Sequence, residues 1–435
     1  MVQRRQPPPT AVEYFAGIGL VGMALRRSGW RILFANDVSP KKAAFYRVFF
    51  PHETDVYRVG DVFDLRPEDV PPATLAACSF PCIDVSLAGK MAGIKDRKTN
   101  WRDEGWGMRD DEKCAKERPS ETGSSAFWGF ARLLEQQGDR RPPLLLLENV
   151  PGWLYANDGR DFRVTVGALA DLGYACDVLT LDARRFTPQS RPRVFLIGVT
   201  PRWKAFFAAP EVGNRNRLLA RPAGLLSPRL REAVHRNADL PWFALSLPLP
   251  PPLRAGGLND ILEPLAEHDP RWWTLAETER HLAMMSAAHR VYVEKLAAAP
   301  VETCRTFYRR RRADGQRAEV RTDDIAGCLR TAAGGNGRQF LVRAGCGRLR
   351  MRALTAREYV RLQGVPDDIP LDGTGLSETQ AVTAFGDAVC VPAVAWVADH
   401  HLGKALQLQA AGGRSHVAPA AYSTAAYQPR LLPDG

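Results

Sequence analysis

Ala11-Val12-Glu13-Tyr14-Phe15-Ala16-Gly17-Ile18-Gly19-Leu20-Val21-Gly22 joins an apolar run to a glycine-rich turn near the start of the chain. Ala11–Phe15 reads as a strand, and Gly17-x-Gly19-x-x-Gly22 as a tight turn that opens a helix. Glycines there let the backbone approach a ligand closely, and an acid about 20 residues on can hold ribose hydroxyls. Asp37, eighteen residues beyond Gly19, is placed for that task. By itself the fingerprint fits a nicotinamide dinucleotide as well as S-adenosylmethionine. Aromatic Phe15, and acidic Asp61 at a third strand end, suit an adenosine with one nucleoside rather than a pyrophosphate.

Working outward, the first helix runs to about Ser28, with Gly29 as its C-terminal cap. Arg31–Ala35 is the next strand, and Ser39-Pro40 opens a second helix that ends before Pro51. A third short strand precedes Gly60-Asp61-Val62. Apolar Ala73–Ser79 leads into Phe80-Pro81-Cys82, a helix covers Ser125–Gln137, and Leu144–Leu147 ends in Glu148-Asn149-Val150. A helix over Phe162–Leu172 then precedes Tyr174–Asp182 and Arg193–Thr200, which read as antiparallel partners. This alternation predicts an α/β fold, a Rossmann-like doubly wound and mostly parallel sheet.

After Pro201 the pattern loosens into proline clusters, scattered tryptophans and the run Arg309–Arg312. Regular helices return at Thr355–Gln363 and Val389–Leu402. The expected division is a catalytic domain of 11–200 plus 376–403 and a smaller irregular domain with its hinge over 201–375. The ends, 1–10 and 404–435, are expected to be disordered.

The chain has 435 residues, 45% of them hydrophobic and 25% charged, as in ordinary water-soluble proteins. Its eight cysteines are irregularly spaced, which argues against a disulfide framework or a zinc site. No apolar run approaches membrane-spanning length, and Met1–Thr10 has no apolar core of a secretory signal. A cytoplasmic protein is the expectation. Of the net charge of +11, residues 201–350 supply +10, from 25 Lys and Arg against 15 Asp and Glu. Within Arg305–Arg350 there are 12 arginines and four acids. Arginine confined to one segment suits bidentate contacts to phosphates and guanine edges, and marks a nucleic-acid face in preference to a merely solvated surface.

Two strand ends carry reactive residue types. Cys82 would be a small buried hydrophobe in many proteins, but Pro81 before it and Asp84 and Ser86 after it suggest a loop. A nucleophilic thiol needs positive neighbours to ionise, and Arg191 and Arg193 in Gln189-Ser190-Arg191-Pro192-Arg193 can supply them. Glu148, ending a run of leucines, is suited to pair with a ring nitrogen. Met91–Glu121 is charged and holds Trp101 and Trp106; it reads equally as a closing lid or a disordered insertion. Thr331–Gln339, between Arg330 and Arg338, reads as a plain turn or as a carrier of backbone amides to a phosphate.

Taken in order, these motifs resemble the DNA (cytosine-5)-methyltransferase family, of the prokaryotic restriction-modification type. Phe15-Ala16-Gly17-Ile18-Gly19 is similar to its cofactor loop, Phe80-Pro81-Cys82 to its nucleophile motif, Glu148-Asn149-Val150 to its glutamate motif and Gln189-x-Arg191-x-Arg193 to its arginine motif. Arg352–Pro366 resembles the ninth motif, and Gly386-Asp387-Ala388-Val389 the tenth. Ile83 stands where the family usually has glutamine, and Asp387 where it has asparagine.

The resemblance implies S-adenosylmethionine as cofactor, held by Phe15, Gly17, Gly19, Asp37, Val38, Asp61, Val62, Pro81, Asp387 and Ala388. It implies Cys82, Glu148, Arg191 and Arg193 as catalytic residues, with Ser86, Gln189, Arg330, Arg338 and Gln339 against substrate, and no metal. The segment 201–375 would recognise target DNA. The partner is then double-stranded DNA, the protein a monomer, and any cognate restriction endonuclease a separate chain. The rival readings are a tRNA cytosine-5 methyltransferase of the same fold and a catalytically silent DNA-binding relative. The large arginine-rich segment argues against the first, and the intact Cys82, Glu148 and Arg193 set against the second.

Overall fold

The computed structural model describes residues 7–81, 124–207, 212–312, 315–330, 337–371 and 374–410. Cys82, Ser86 and the charged stretch Met91–Glu121 lie outside these residues, as do 331–336 and most of the two ends.

Seven strands build the central sheet: β1 (Thr10–Tyr14), β2 (Arg31–Asp37), β3 (Tyr57–Val59), β4 (Leu75–Cys78), β5 (Leu144–Asn149), β6 (Ala175–Asp182) and β7 (Pro192–Val199). Their order is β3-β2-β1-β4-β5-β7-β6. The five from β3 to β5 run parallel, and β7 is antiparallel to both β5 and β6. The chain winds outward from β1 to β3 and then returns to lay β4 on the other side of β1. That reversal opens a crevice beyond the carboxyl ends of β1 and β4, where such sheets bind ligands.

β5 shows why the sheet is buried on both faces. Leu144 and Leu146 join one core cluster, and Leu145 and Leu147 the other. Side chains alternate across a strand, so an unbroken leucine run fills both sides at once. Helices α1 (Leu20–Arg27) and α2 (Pro40–Phe49) help cover one face together with the C-terminal helices Glu378–Asp387, Val391–Val397 and Gly403–Ala410. Helices α3 (Phe127–Gln137) and α4 (Arg160–Asp171) cover the other.

Order continues past Gly403, where the sequence suggested a tail. Ala405 and Leu408 are buried in the core, which holds that turn in place through Ala410. The helical stretch Glu378–Ala410 is long and apolar enough to span a bilayer, but 83% of its most apolar window is buried inside the protein.

The second lobe is irregular at first, with short helices and the two-residue pair β8 (Val212–Gly213) and β9 (Ala244–Leu245). It then becomes regular. β10 (Thr303–Arg312), β11 (Gly315–Val320), β12 (Gln339–Gly345) and β13 (Arg348–Ala353) form an antiparallel sheet of order β11-β10-β12-β13. This sheet has its own core, with Phe307, Phe340, Val342 and Met351 packed beside Trp273. Strands β10 and β13 are arginine-studded, which hides the alternation in the sequence.

Candidate active site

The glycine loop, β2 and the turn after Gly386 form one side of the crevice. Phe15, Gly17 and Gly19 have φ of 56°, 57° and 82°, so the chain leaves β1 through left-handed backbone. A non-glycine residue there costs about 1 kcal/mol, which Phe15 bears. At Gly19 a Cβ would lie 2.6 Å from the Tyr46 ring, so the loop also needs glycine for space.

Asp37 ties this loop down. Its Oδ2 accepts from the Gly17 N–H and its Oδ1 from the Ser39 N–H, each at 2.9 Å, and the Tyr57 hydroxyl donates to the Gly17 carbonyl at 2.8 Å. A carboxylate has about four acceptor positions, so Asp37 keeps capacity for a ligand diol. Beside it, Val38 is 68% exposed, an apolar ledge next to a buried acid.

Asp61 accepts from the Phe63 N–H at 3.0 Å. Val62 is buried, with its side chain 2.6 Å from the place a Cβ on Gly129 of α3 would take. Asp387 lies 4.0 Å from Lys42 Nζ; burial pushes its carboxyl up, and Lys42 pulls it back. Lys42 also borders Gly17, 3.9 Å from where a Cβ there would sit. The carbonyl of Ala388 accepts from Arg191 and from Gln363 Nε2, the latter at 3.1 Å.

The other side of the crevice is the acid edge. Glu148 is buried at the end of β5, and its Oε1 accepts from Arg193 Nε at 2.9 Å. Arg193 Nη1 donates to the Pro192 carbonyl at 2.8 Å. Next to Glu148, Asn149 Nδ2 donates to the Phe80 carbonyl at 3.3 Å. β4 and β5 are in register at Cys78 and Leu147, so the segment Phe80-Pro81 that leads into Cys82 is anchored beside the Glu148–Arg193 pair. Cys78, four residues earlier, is fully buried, and burial raises its thiol pKa far above the ordinary value. It is a core residue.

Three other residues of the sequence expectation are buried struts. Arg191 is 2% exposed; it donates to the carbonyls of Leu329 (2.7 Å) and Gly386 (3.2 Å) as well as to Ala388, and burial pushes its guanidinium pKa down. Gln189 donates to the Leu362 carbonyl at 2.9 Å and accepts from the Leu329 N–H at 3.3 Å. Gln339 Oε1 accepts from the Gly327 N–H at 3.2 Å. Arg191 and Gln189 join the second lobe and the C-terminal helices to the central sheet, and the Gln339 bond lies within the second lobe. Arg330 is exposed, and Arg338 lines a cavity of about 410 Å³ with Trp273, Arg271 and Arg357.

Sequence reasoning missed Cys328, Lys42 and Tyr57. Cys328 Sγ lies 3.5 Å from Arg191 Nη1. Burial would raise its thiol pKa, but Arg191, Arg193 and Arg330 together hold it below the ordinary value. No motif spacing marks such a residue, because it reaches the acid edge from the second lobe. Asn149 belonged to a recognised motif, but only the register of β4 on β5 reveals its task.

A glycine loop and carboxylates at a topological switch point, facing an acid–arginine pair on the next strands, define a doubly wound α/β protein with a crevice at the carboxyl ends of its strands among the described residues. The chain belongs to the C-5 cytosine-specific DNA methylase family, which it matches over residues 10–101 and 113–402. It is 27% identical to the type II methyltransferase M.MspI of Moraxella sp over 43% of this chain and 37% of that protein. It is 25% identical to the type II methyltransferase M.NgoBI of Neisseria gonorrhoeae over 58% of this chain and 75% of that one. The match thus spans little more than a third of the Moraxella relative's length. Among solved structures, the S. pombe Dnmt2 methyltransferase shares the fold with a TM-score of 0.54 at 16% identity, over 93% of this chain and 99% of that one. A putative DNA modification methyltransferase encoded within an E. coli prophage does so with a TM-score of 0.51 at 14% identity, over 92% and 99%.

Proposed function

We propose that the protein transfers a methyl group from S-adenosylmethionine to carbon 5 of a cytosine flipped out of duplex DNA. The observation that carries this reading is the Glu148–Arg193 ion pair beside the anchored Phe80-Pro81 segment, one residue before Cys82. The crevice suits the cofactor: Asp37 retains acceptors for a ribose diol, Val38 offers a surface for a flat base, and Asp387, beside Lys42 near the glycine loop, would meet a ligand ammonium. When bound, S-adenosylmethionine supplies an electrophilic methyl on a sulfonium.

The residues of the chain then do the rest. Carbon 5 of cytosine is a poor nucleophile, and addition of the Cys82 thiolate at carbon 6 makes it enamine-like. A proton shared between Glu148 and ring nitrogen 3 stabilises the electron density that addition pushes into the ring. Arg193 holds Glu148 in place and adds positive charge beside the base. After methylation the carbon 5 proton leaves, the bond from sulfur to carbon 6 breaks, and the thiolate is released. Inside a duplex the base is unreachable, so it must be extruded at a cost of a few kcal/mol. The second lobe supplies the target-recognition surface, and a cytoplasmic monomer acting on its own suits a modification enzyme.

The test is methyl transfer to duplex DNA measured beside tRNA. Incorporation at carbon 5 of cytosine in DNA, lost in Cys82→Ser while DNA binding persists, is the expected result. Methylation of tRNA alone would move the substrate to RNA, and unchanged product from Cys82→Ser would refute the nucleophile.

A further inference from the structure

The four consecutive arginines of β10, Arg309–Arg312, look alike in the sequence, but the strand divides them between two faces. One face is internally neutralised. There Glu319 of β11 accepts from the Tyr308 hydroxyl at 2.7 Å and pairs with Arg312 at 2.5 Å and Arg310 at 3.9 Å.

The other face is different. Phe307 stacks on Phe340 of β12 with ring centroids 5.1 Å apart, and the Arg309 guanidinium lies 5.0 Å over that same Phe340 ring. β10 and β12 are in register from Thr303–Ala344 to Tyr308–Gln339, so the next positions bring Arg309 opposite Arg338. Like charges directly across a strand pair repel. A third arginine, Arg280, lies near enough for its charge to act on Arg309. Trp273 and His281, stacked at 4.1 Å, pack under Phe340, and Arg280 precedes His281 on the helix Leu275–Ala283. Arg280 and Arg338 push the Arg309 pKa down, after burial itself. Neither Arg280 nor Arg338 has a carboxylate ion pair among the described residues.

Position favours a DNA ligand. Arg330, whose charge acts on the Cys328 thiol at the acid edge, is eight residues before Arg338. A chain of that length spans at most about 28 Å, within the footprint of one duplex bound at the crevice.

We propose that Arg280, Arg309 and Arg338 form a phosphodiester-binding site for the DNA backbone, while Arg310 and Arg312 brace Glu319 on the opposite face. This rests on the DNA-methyltransferase reading above. A convergence of three guanidiniums against an aromatic floor is stable when an anion sits between them, and a backbone phosphate supplies one.

Binding of the full-length protein to duplex DNA, measured against salt concentration, tests this. The triple variant Arg280→Gln/Arg309→Gln/Arg338→Gln should lower the slope of log K against log salt by about 0.9, and each single variant by a part of that, equally for target and non-target duplexes. Arg338→Lys should restore most of the slope, which separates a lost charge from a misfolded lobe. The double variant Arg310→Gln/Arg312→Gln should leave the slope unchanged. A wild-type slope in the triple variant, or a larger loss in the double variant, overturns the site while leaving the methyltransferase reading intact. If the wild-type protein neither binds nor methylates duplex DNA, both fall.

Discussion

At the scale of single residues, two side chains give the sharpest expectations. Arg193 uses Nε for Glu148 and Nη1 for the Pro192 carbonyl, and one ammonium cannot do both. Arg193→Lys should therefore reduce the turnover of methyl transfer by about 100-fold or more with a smaller change in DNA affinity, as read by steady-state kinetics and equilibrium binding. Glu13, on β1, accepts from the Gly22 N–H at 3.0 Å, and burial pushes its carboxyl up to about 8 against the pull of Arg26. A raised acid holds its proton in the folded state after the unfolded chain has lost it, so stability falls as the pH rises from the ordinary carboxylate range through about 8. Thermal unfolding of Glu13→Gln should show a weaker decline between those limits than the wild-type chain, and an identical pH profile would remove Glu13 as the cause. Gly22 explains itself here as well, because a Cβ there would lie 2.6 Å from the Glu13 carboxylate.

At the scale of elements, the central sheet was legible and the second sheet was not. Leu144–Leu147 can only fill two faces of a buried strand, and the glycine loop can only follow a strand and open a helix. β10 carries the sequence Thr303-Cys304-Arg305-Thr306-Phe307-Tyr308 before its arginines, and cross-strand pairing rather than apolar alternation makes it a strand. The site divides the same way. Motif spacing reached Glu148 and Arg193, but it gives no direction to a side chain, so the inward turn of Gln189, Arg191 and Gln339 toward backbone carbonyls and amides was invisible. A buried network joins the elements at the far edge of the sheet. Asp177 of β6 takes Arg221 at 2.7 Å and His401 at 2.8 Å. Burial works against the Asp177 charge, but Arg221 and His401 outweigh it and hold the carboxyl down to about 2. That stabilisation is present above the ordinary carboxylate range and is lost as the pH falls through about 2. Arg221→Met leaves the charge buried without its main partner and should destabilise the fold by about 3–5 kcal/mol in denaturant unfolding at pH 7; a loss below 1 kcal/mol would show the network to be dispensable.

At the scale of the whole molecule, the two lobes meet around one crevice, and the C-terminal helices return to complete its floor. Gln363 donates to the Phe385 and Ala388 carbonyls, and Arg191, just before β7, crosses to the same turn, so cofactor side and acid edge share a support. Binding there should stabilise the entire chain. S-adenosylmethionine at 100 times its dissociation constant should add about 2.7 kcal/mol, seen as a higher Tm, and Asp37→Ala should abolish the increase. The chemistry depends on one bond, from a sulfur of this chain to carbon 6 of cytosine while Glu148 stands opposite. Duplex DNA carrying 5-fluorocytosine tests it most directly, because fluorine at carbon 5 blocks the elimination that would free the enzyme. Incubated with S-adenosylmethionine, the protein should form a complex stable to denaturing electrophoresis, mapped by mass spectrometry to Cys82 and absent in Cys82→Ser. An adduct at Cys328, or no adduct from a protein that still methylates DNA, would contradict the account.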